Sequence, residues 1–237
     1  MNDHQSNNHP VSSNRLLGGL PVDELERFGS ASETVELKFG SSIYKLGDRI
    51  DHVYFPHSGI ISLLAAVEES STLEVGIVGN EGMAGLALFL GVKRSRVKAI
   101  VQASGTATRM RASSFEQACN NGGELSGALR RFTHSMITQI SQSAVCFRFH
   151  VIEMRLARWL LMTSDRTESN EFPMTQEFLS HMLGVRREAV NRAALSLQRR
   201  SLIAHSRSNI MIIDRLGLEA VSCPCYAMIR AEEVDGK

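Results

Sequence analysis

Hydrophobic and polar positions alternate with two different periods along this chain. Between residues 34 and 110 the apolar positions come in short runs, at 35–39, 43–46, 52–55, 60–66, 74–78, 98–102 and 107–110. Gly40, Gly47-Asp48, Ser58-Gly59 and Gly105 punctuate them. Short β-type runs joined by tight turns predict an antiparallel roll, barrel or sandwich. From about Ser113 the period lengthens. Leu125, Leu129, Phe132, Met136, Ile140, Ala144 and Phe147 recur every three or four residues, which predicts one amphipathic helix of about six turns. Such a stripe packs either on its own domain or on a second copy of itself. A homodimer is the reading adopted, because the segment that follows asks for one.

That segment carries further helical patterns. Leu156, Trp159, Leu160 and Met162 mark a helix that breaks over residues 165–170, and Pro173 keeps the residue before it out of a helix. Thr175 is a natural N-cap for a helix over 176–182 that buries Phe178, Leu179 and Met182. After Leu183-Gly184-Val185, a second helix starts at Arg186 or Arg187 and ends near Arg200, with Val190, Ala194, Leu195 and Leu197 as its apolar face. A small Ser180, a turn at Gly184 and an apolar anchor at Val190 have helix-turn-helix spacing. Two β-runs at 202–204 and 210–213 flank Arg207-Ser208-Asn209 and complete a winged helix. The expected fold class is therefore α+β. A disordered tail (1–15), a β-roll (16–122), a dimerisation helix (123–150), a winged helix (151–222) and a C-terminal tail (223–237) follow in order.

Composition narrows the function. A chain of 237 residues, 43% hydrophobic and 22% charged, is long enough for two ordinary domains. It has no apolar run of the roughly 18–20 residues that a membrane span needs. Four scattered cysteines do not make a disulfide framework, and a reducing, cytoplasmic setting is the simplest expectation. The net charge of +1 hides a local excess: residues 186–207 hold six arginines and one acid, Glu188. Arg187, Glu188, Asn191 and Arg192 project from the leading end of the second helix, opposite its apolar face. Arginine forks onto guanine and glutamate accepts from cytosine, so these side chains can read base edges of double-stranded DNA. Thr175, Arg186, Ser206 and Arg207 are placed to meet phosphates.

Other chemistry finds little support. Gly76, Gly79, Gly82 and Gly85 recur but lack the Lys-Ser/Thr ending of a phosphate loop, and no nucleophile stands with a base, so no enzyme is expected. His52, His57, His134, His150 and His181 form no metal pattern. Cys223-Pro-Cys225 reads as a poor chelate or disulfide, and Cys119 and Cys146 read as ordinary packing. No metal or cofactor is expected. The rival reading is a ligand-sensing module that signals by protein contact and keeps a vestigial DNA-binding unit.

Residues 16–222 resemble the Crp/Fnr family of bacterial regulators, most specifically from Met174 onward, through Gly184-Val185-Arg186-Arg187-Glu188-Ala189-Val190-Asn191-Arg192. The resemblance implies a cyclic-nucleotide-binding-like roll, a dimer helix and a winged helix. It makes Arg187, Glu188 and Arg192 the base-reading residues, in the combination of the catabolite-activator branch, which favours a GTGA-like half-site in a palindrome. An activating role would add RNA polymerase as a partner. Three departures stand out. Arg186 replaces the family's Ser or Thr cap, and an arginine cannot accept from the orphan N–H groups. In Gly79-Asn80-Glu81-Gly82-Met83-Ala84-Gly85, Met83 falls where nucleotide-binding members carry a ribose-binding acid. The family's phosphate-binding Arg-Ser pair falls near Val97-Lys98, with Arg94-Ser95 three residues earlier. The two departures in the roll speak against a cyclic nucleotide. The absence of cysteines before Cys119 speaks against an iron–sulfur cluster of the redox branch.

Overall fold

The computed structural model describes residues 10–68, 71–206 and 208–235. A 3-10 turn over Pro10–Ser13 and two helices, α1 (Arg15–Gly18) and α2 (Val22–Ser30), lead into seven antiparallel strands. These are β1 (Ser32–Leu37), β2 (Ser42–Tyr44), β3 (His52–Pro56), β4 (Ile60–Glu68), β5 (Ser71–Val78), β6 (Lys98–Ala103) and β7 (Gly105–Arg111). They form two sheets ordered β1-β7-β3 and β2-β6-β4-β5, with the apolar side chains of Val53, Phe55, Ile61, Val78, Val101 and Ala107 shut between and beneath them. Alternating strands can bury one face only when a second layer covers it, and the roll supplies that layer itself. Gly59 enables the β3–β4 turn: its φ is +79°, and a Cβ there would lie 2.6 Å from the Ala103 carbonyl oxygen.

Helix α3 (Ala112–Asn120) leads to the long α4 (Glu124–Phe149), which meets α5 (Ile152–Thr167) at an elbow where His150 and Val151 are extended. Strand β8 (Glu171–Pro173), helices α6 (Gln176–Leu183) and α7 (Arg187–Arg199), and strands β9 (Ile203–His205) and β10 (Asn209–Ile212) build the winged helix. Its sheet has the order β8-β10-β9. The first strand was not expected; Glu171–Pro173 lacks an alternating pattern and is recruited by pairing with β10. Helices α8 (Arg215–Val221) and α9 (Cys225–Asp235) close the chain.

Three sequence expectations need correction. Residues 10–15 are not a loose tail: Asn14 is fully buried, donating to the Pro56 and Gly82 carbonyls at 2.8 and 2.9 Å while its Oδ1 caps α1 through the Leu17 N–H. Residues 223–235 are not a loose tail either. Helix α9 buries Tyr226 and Ile229, and Tyr226 and Arg215 converge on Asp165 of α5 at 2.8 and 2.5 Å. The third correction concerns α4. Leu125, Leu129, Phe132 and Met136, expected in a dimer seam, are buried against the roll of their own chain. A Cβ on Gly82 would fall 2.0 Å from the Phe132 ring, so the helix rests directly on this loop. Further along, the buried line continues through polar Gln139 and Ser143, where the Gln139 amide accepts from the Ile77 N–H and donates to the Ile77 carbonyl of β5. Ile140 leaves the stripe and is exposed, beside Ile137, Ala144 and Val145.

The two domains share an interior. Leu156, Leu160 and Ile60 lie in one core cluster with Leu179, Val190 and Ile210 of the winged helix. Polar ties cross the same boundary: Trp159 Nε1 donates to Glu74 at 2.8 Å, Gln102 donates to Thr163, and Arg166 pairs with Glu81 at 2.8 Å, while within the roll the Ser62 hydroxyl donates to Glu74 at 2.7 Å. Burial pushes the Glu74 carboxyl up to about 7. Arg166 holds Glu81 below its usual range, although burial alone would raise it.

Candidate nucleic-acid interface

The helix-turn-helix follows from local rules. Thr175 caps α6, its hydroxyl accepting from the Phe178 N–H at 3.1 Å. Gly184 ends the helix in the left-handed conformation, φ 61° and ψ 42°, as a C-terminal glycine does. The chain then turns through Val185, whose N–H returns to the Ser180 carbonyl at 3.0 Å. Arg186 stands at the N-cap of α7 and makes no side-chain cap bond, so the leading N–H groups of α7 lack that partner. Helix α7 is anchored by Val190, Ala193, Ala194 and Leu197. Leu195, expected on the apolar face, is exposed, and Ala193 takes its place because it lies closer to the line through Val190 and Leu197.

The opposite face presents Arg187, Glu188 and Arg192 to solvent, together with Arg186 at the helix start. Arg187 does not hang free: its Nε donates to Gln176 Oε1 at 3.3 Å, and Gln176 Nε2 donates to Asn191 Oδ1 at 2.9 Å and lies 3.4 Å from His205 Nε2. One amide thus links the first turn of α6, the reading face of α7 and the wing strand. Burial holds the His205 imidazole below its ordinary pKa, which favours its neutral form. Gln176 and His205 were not legible as site residues, because they meet Arg187 and Asn191 only through the turn. Ser206 is exposed at the wing, where its N–H donates to the Asn209 carbonyl at 2.9 Å. Arg207 lies outside the described residues. Arg200 is engaged elsewhere, at 3.1 Å from Glu153.

The winged helix docks on the roll through α5 and α6. Gly184 abuts Leu73 of β5, and the Phe178 ring meets Phe39 with centroids 5.3 Å apart. Neither contact uses the outward face of α7. An exposed array of cations and one carboxylate at the start of a helix, beside a wing, has the chemistry for phosphate contact and base-edge reading.

The roll carries a concavity of about 250 Å3, lined by Tyr44, Met83, Leu86, Leu90, Val97 and Met136 among others. Met83 is buried, and the nearby acid Glu81 turns toward Arg166. Arg94 and Ser95 also border the cavity, but Arg94 donates to the Gly47 carbonyl at 2.9 Å, and buried Ser95 donates to the Val97 carbonyl at 2.6 Å. Among the described residues no helix is long and apolar enough to cross a membrane.

Comparison with known proteins agrees with this layout. Residues 34–121 match the cyclic nucleotide-binding domain family and residues 154–221 the Crp-like helix-turn-helix domain family, together about two-thirds of the chain. The transcriptional regulatory protein btr of Bordetella pertussis is 27% identical over 218 residues, covering 85% of this chain and 86% of that protein. The fold is similar to that of a Crp/Fnr-family transcriptional regulator from Eubacterium rectale, with a TM-score of 0.69, 17% identity, and coverage of 88% of this chain and 98% of the other. It is also similar to FixK2 from Bradyrhizobium japonicum, with a TM-score of 0.68, 17% identity, and coverage of 81% and 98%. With both domain families present in this order, joined by the long helix and ending in a winged helix, the chain belongs to the Crp/Fnr family of DNA-binding transcriptional regulators.

Proposed function

We propose that the protein acts as a homodimer on a palindromic operator with GTGA-like half-sites. The observation that carries this reading is the outward face of α7, where Arg187, Glu188 and Arg192 stand exposed while every apolar anchor of the helix is buried. Arg187, Glu188 and Arg192 choose sequence; Thr175, Arg186, Ser206 and Arg207 set register on phosphates. Two copies place their α7 helices in successive major grooves about 34 Å apart. The pairing surface is the outer face of α4, with Ile137, Ile140, Ala144 and Val145, since the inner face is spent on the roll.

The roll does not hold a cyclic nucleotide in this proposal. Its cavity is mostly apolar, Met83 supplies no carboxylate, and the Arg94 guanidinium is tied to the Gly47 carbonyl. A signal entering the roll reaches α7 through the contacts that α5 and α6 make with β4 and β5, which set the orientation of the reading heads.

The test is a selection of genomic fragments by the purified protein, run without ligand and with cyclic AMP. Enrichment of a GTGA-type palindrome in both arms supports the proposal. Enrichment only with cyclic AMP overturns the reading of Met83. No enriched sequence in either arm favours a module that signals by protein contact.

A further inference from the structure

The four residues Cys146, His150, Cys223 and Cys225 are separated by up to 79 positions in the sequence, yet their ligand atoms all lie within 4.8 Å of one another. Cys146 and His150 are one turn apart at the end of α4 and share a face. Cys223 and Cys225 flank Pro224 where α8 gives way to α9. Cys146 Sγ lies 3.4 Å from Cys223 Sγ, and Cys225 Sγ lies 3.7 Å from His150 Nδ1. A tetrahedral ion with metal–sulfur bonds of about 2.3 Å holds its ligand atoms about 3.8 Å apart, so these spacings need little adjustment. All three thiols are buried, as in a closed structural site, and Met154 of α5 packs beside them.

From this geometry we infer that Cys146, His150, Cys223 and Cys225 form a Cys3His site for a single thiophilic divalent cation, Zn2+ in the first place. On binding, the three thiols release their protons to solvent and the imidazole binds as the neutral base. Three thiolates and a dication leave one net negative charge on the site. Two buried guanidinium groups stand ready for it: Arg155 and Arg158 make no ion pair among the described residues, and the Nε of each has no hydrogen-bond partner. Arg158 acts electrostatically on all three thiols, although the contact with Cys223 and burial raise Cys146, burial raises Cys225, and only Cys223 is lowered, chiefly by its contact with Cys146. Buried cations without an ion-paired anion are costly, and a thiolate-bound ion supplies one; Arg158 otherwise acts on the Glu74 carboxyl without forming an ion pair with it. The ion ties α9 to the last turn of α4, next to the elbow that joins the long helix to the winged helix. It is therefore a clamp on the relative placement of the two domains. The sequence spacing concealed it, because a Cys-Pro-Cys pair is a weak signal until the fold brings a Cys-x-x-x-His turn against it.

The test uses the full chain, purified without a metal-binding tag, reduced, stripped with chelator and titrated anaerobically with Co2+ and then Zn2+. The expected result is one equivalent of Co2+ per chain, with the intense d–d and sulfur-to-metal bands of tetrahedral thiolate coordination, displaced by Zn2+. Cys223→Ser and Cys146→Ser lose or strongly weaken these bands, whereas Cys119→Ser, which lies away from the cluster, keeps them. If the substituted chains fail to fold, the stoichiometry and spectrum of the unsubstituted chain decide the question alone. Absence of the bands, with all four thiols reactive or with Cys146 and Cys223 joined as a disulfide, overturns the proposal.

Discussion

At the residue scale, the proposed interface divides into groups expected to choose a sequence and groups expected only to hold the backbone. Arg187→Ala is expected to weaken binding to the selected palindrome by about 1–3 kcal/mol while leaving non-specific binding nearly unchanged, because one guanine fork is lost. A salt-dependent titration on specific and random duplexes separates the two effects. Arg186 behaves differently. It occupies an N-cap without capping α7, so Arg186→Ser is expected to raise stability by about 1 kcal/mol. The same change weakens DNA binding uniformly and reduces the salt slope by about one ion. Thermal unfolding and the slope of log affinity against log salt are the two readouts; a loss of stability would mean that Arg186 serves the fold in another way. The exposed charged trio on α7 was legible because charge against an apolar period is a local pattern. Gln176 was not, since its three partners belong to α7 and β9 and a single polar residue has no period.

At the scale of elements, the long helix separates what periodicity shows from what it leaves open. The stripe from Leu125 to Met136 marks a helix face, but nothing in a repeat of apolar residues says what covers it. In the structure the roll covers it, through Phe132 over Gly82 and Leu129 in the interior. Leu129→Ala is therefore expected to cost about 2–5 kcal/mol of stability, as a buried truncation does. Ile137→Asp, on the exposed face, is expected to leave the fold intact and shift the protein from dimer to monomer. Sedimentation velocity together with denaturant midpoints distinguishes the two. A dimer unaffected by Ile137→Asp removes the outer face of α4 from consideration. The polar residue Gln139 on the buried face shows why the pattern misleads: its amide pairs with the N–H and C=O of Ile77 as well as another strand would.

At the scale of the whole molecule, the roll and the winged helix are joined by a buried polar network as well as by apolar contact. Glu74 keeps its proton to about pH 7 because burial disfavours the carboxylate, more than Ser62, Trp159 and Arg158 favour it. In the unfolded chain the same group ionises near its ordinary value of 4.5. The native state thus binds more protons between these values. Its contribution is fully present below about 4.5, falls as pH rises toward 7, and is flat above. The difference corresponds to about 3 kcal/mol at most. Glu74→Gln is expected to remove this slope, measured as the difference between wild-type and substituted urea midpoints from pH 4.5 to 8. Parallel pH profiles for the two proteins would show that the carboxyl ionises normally in the fold.

The sequence by itself determined the seven strands of the roll, the long helix, the helix-turn-helix and the charged face of α7. Each of these rests on spacing along the chain, which sterics and hydrophobic burial translate directly into local structure. Tertiary structure alone decided which face of α4 is free and that Asn14 is part of the core. It also made Glu171–Pro173 a strand, and brought Cys146 and His150 against Cys223 and Cys225. Those outcomes depend on pairs of groups far apart in the chain. A contact between them has no period to read, only the packing of whole elements to bring it about.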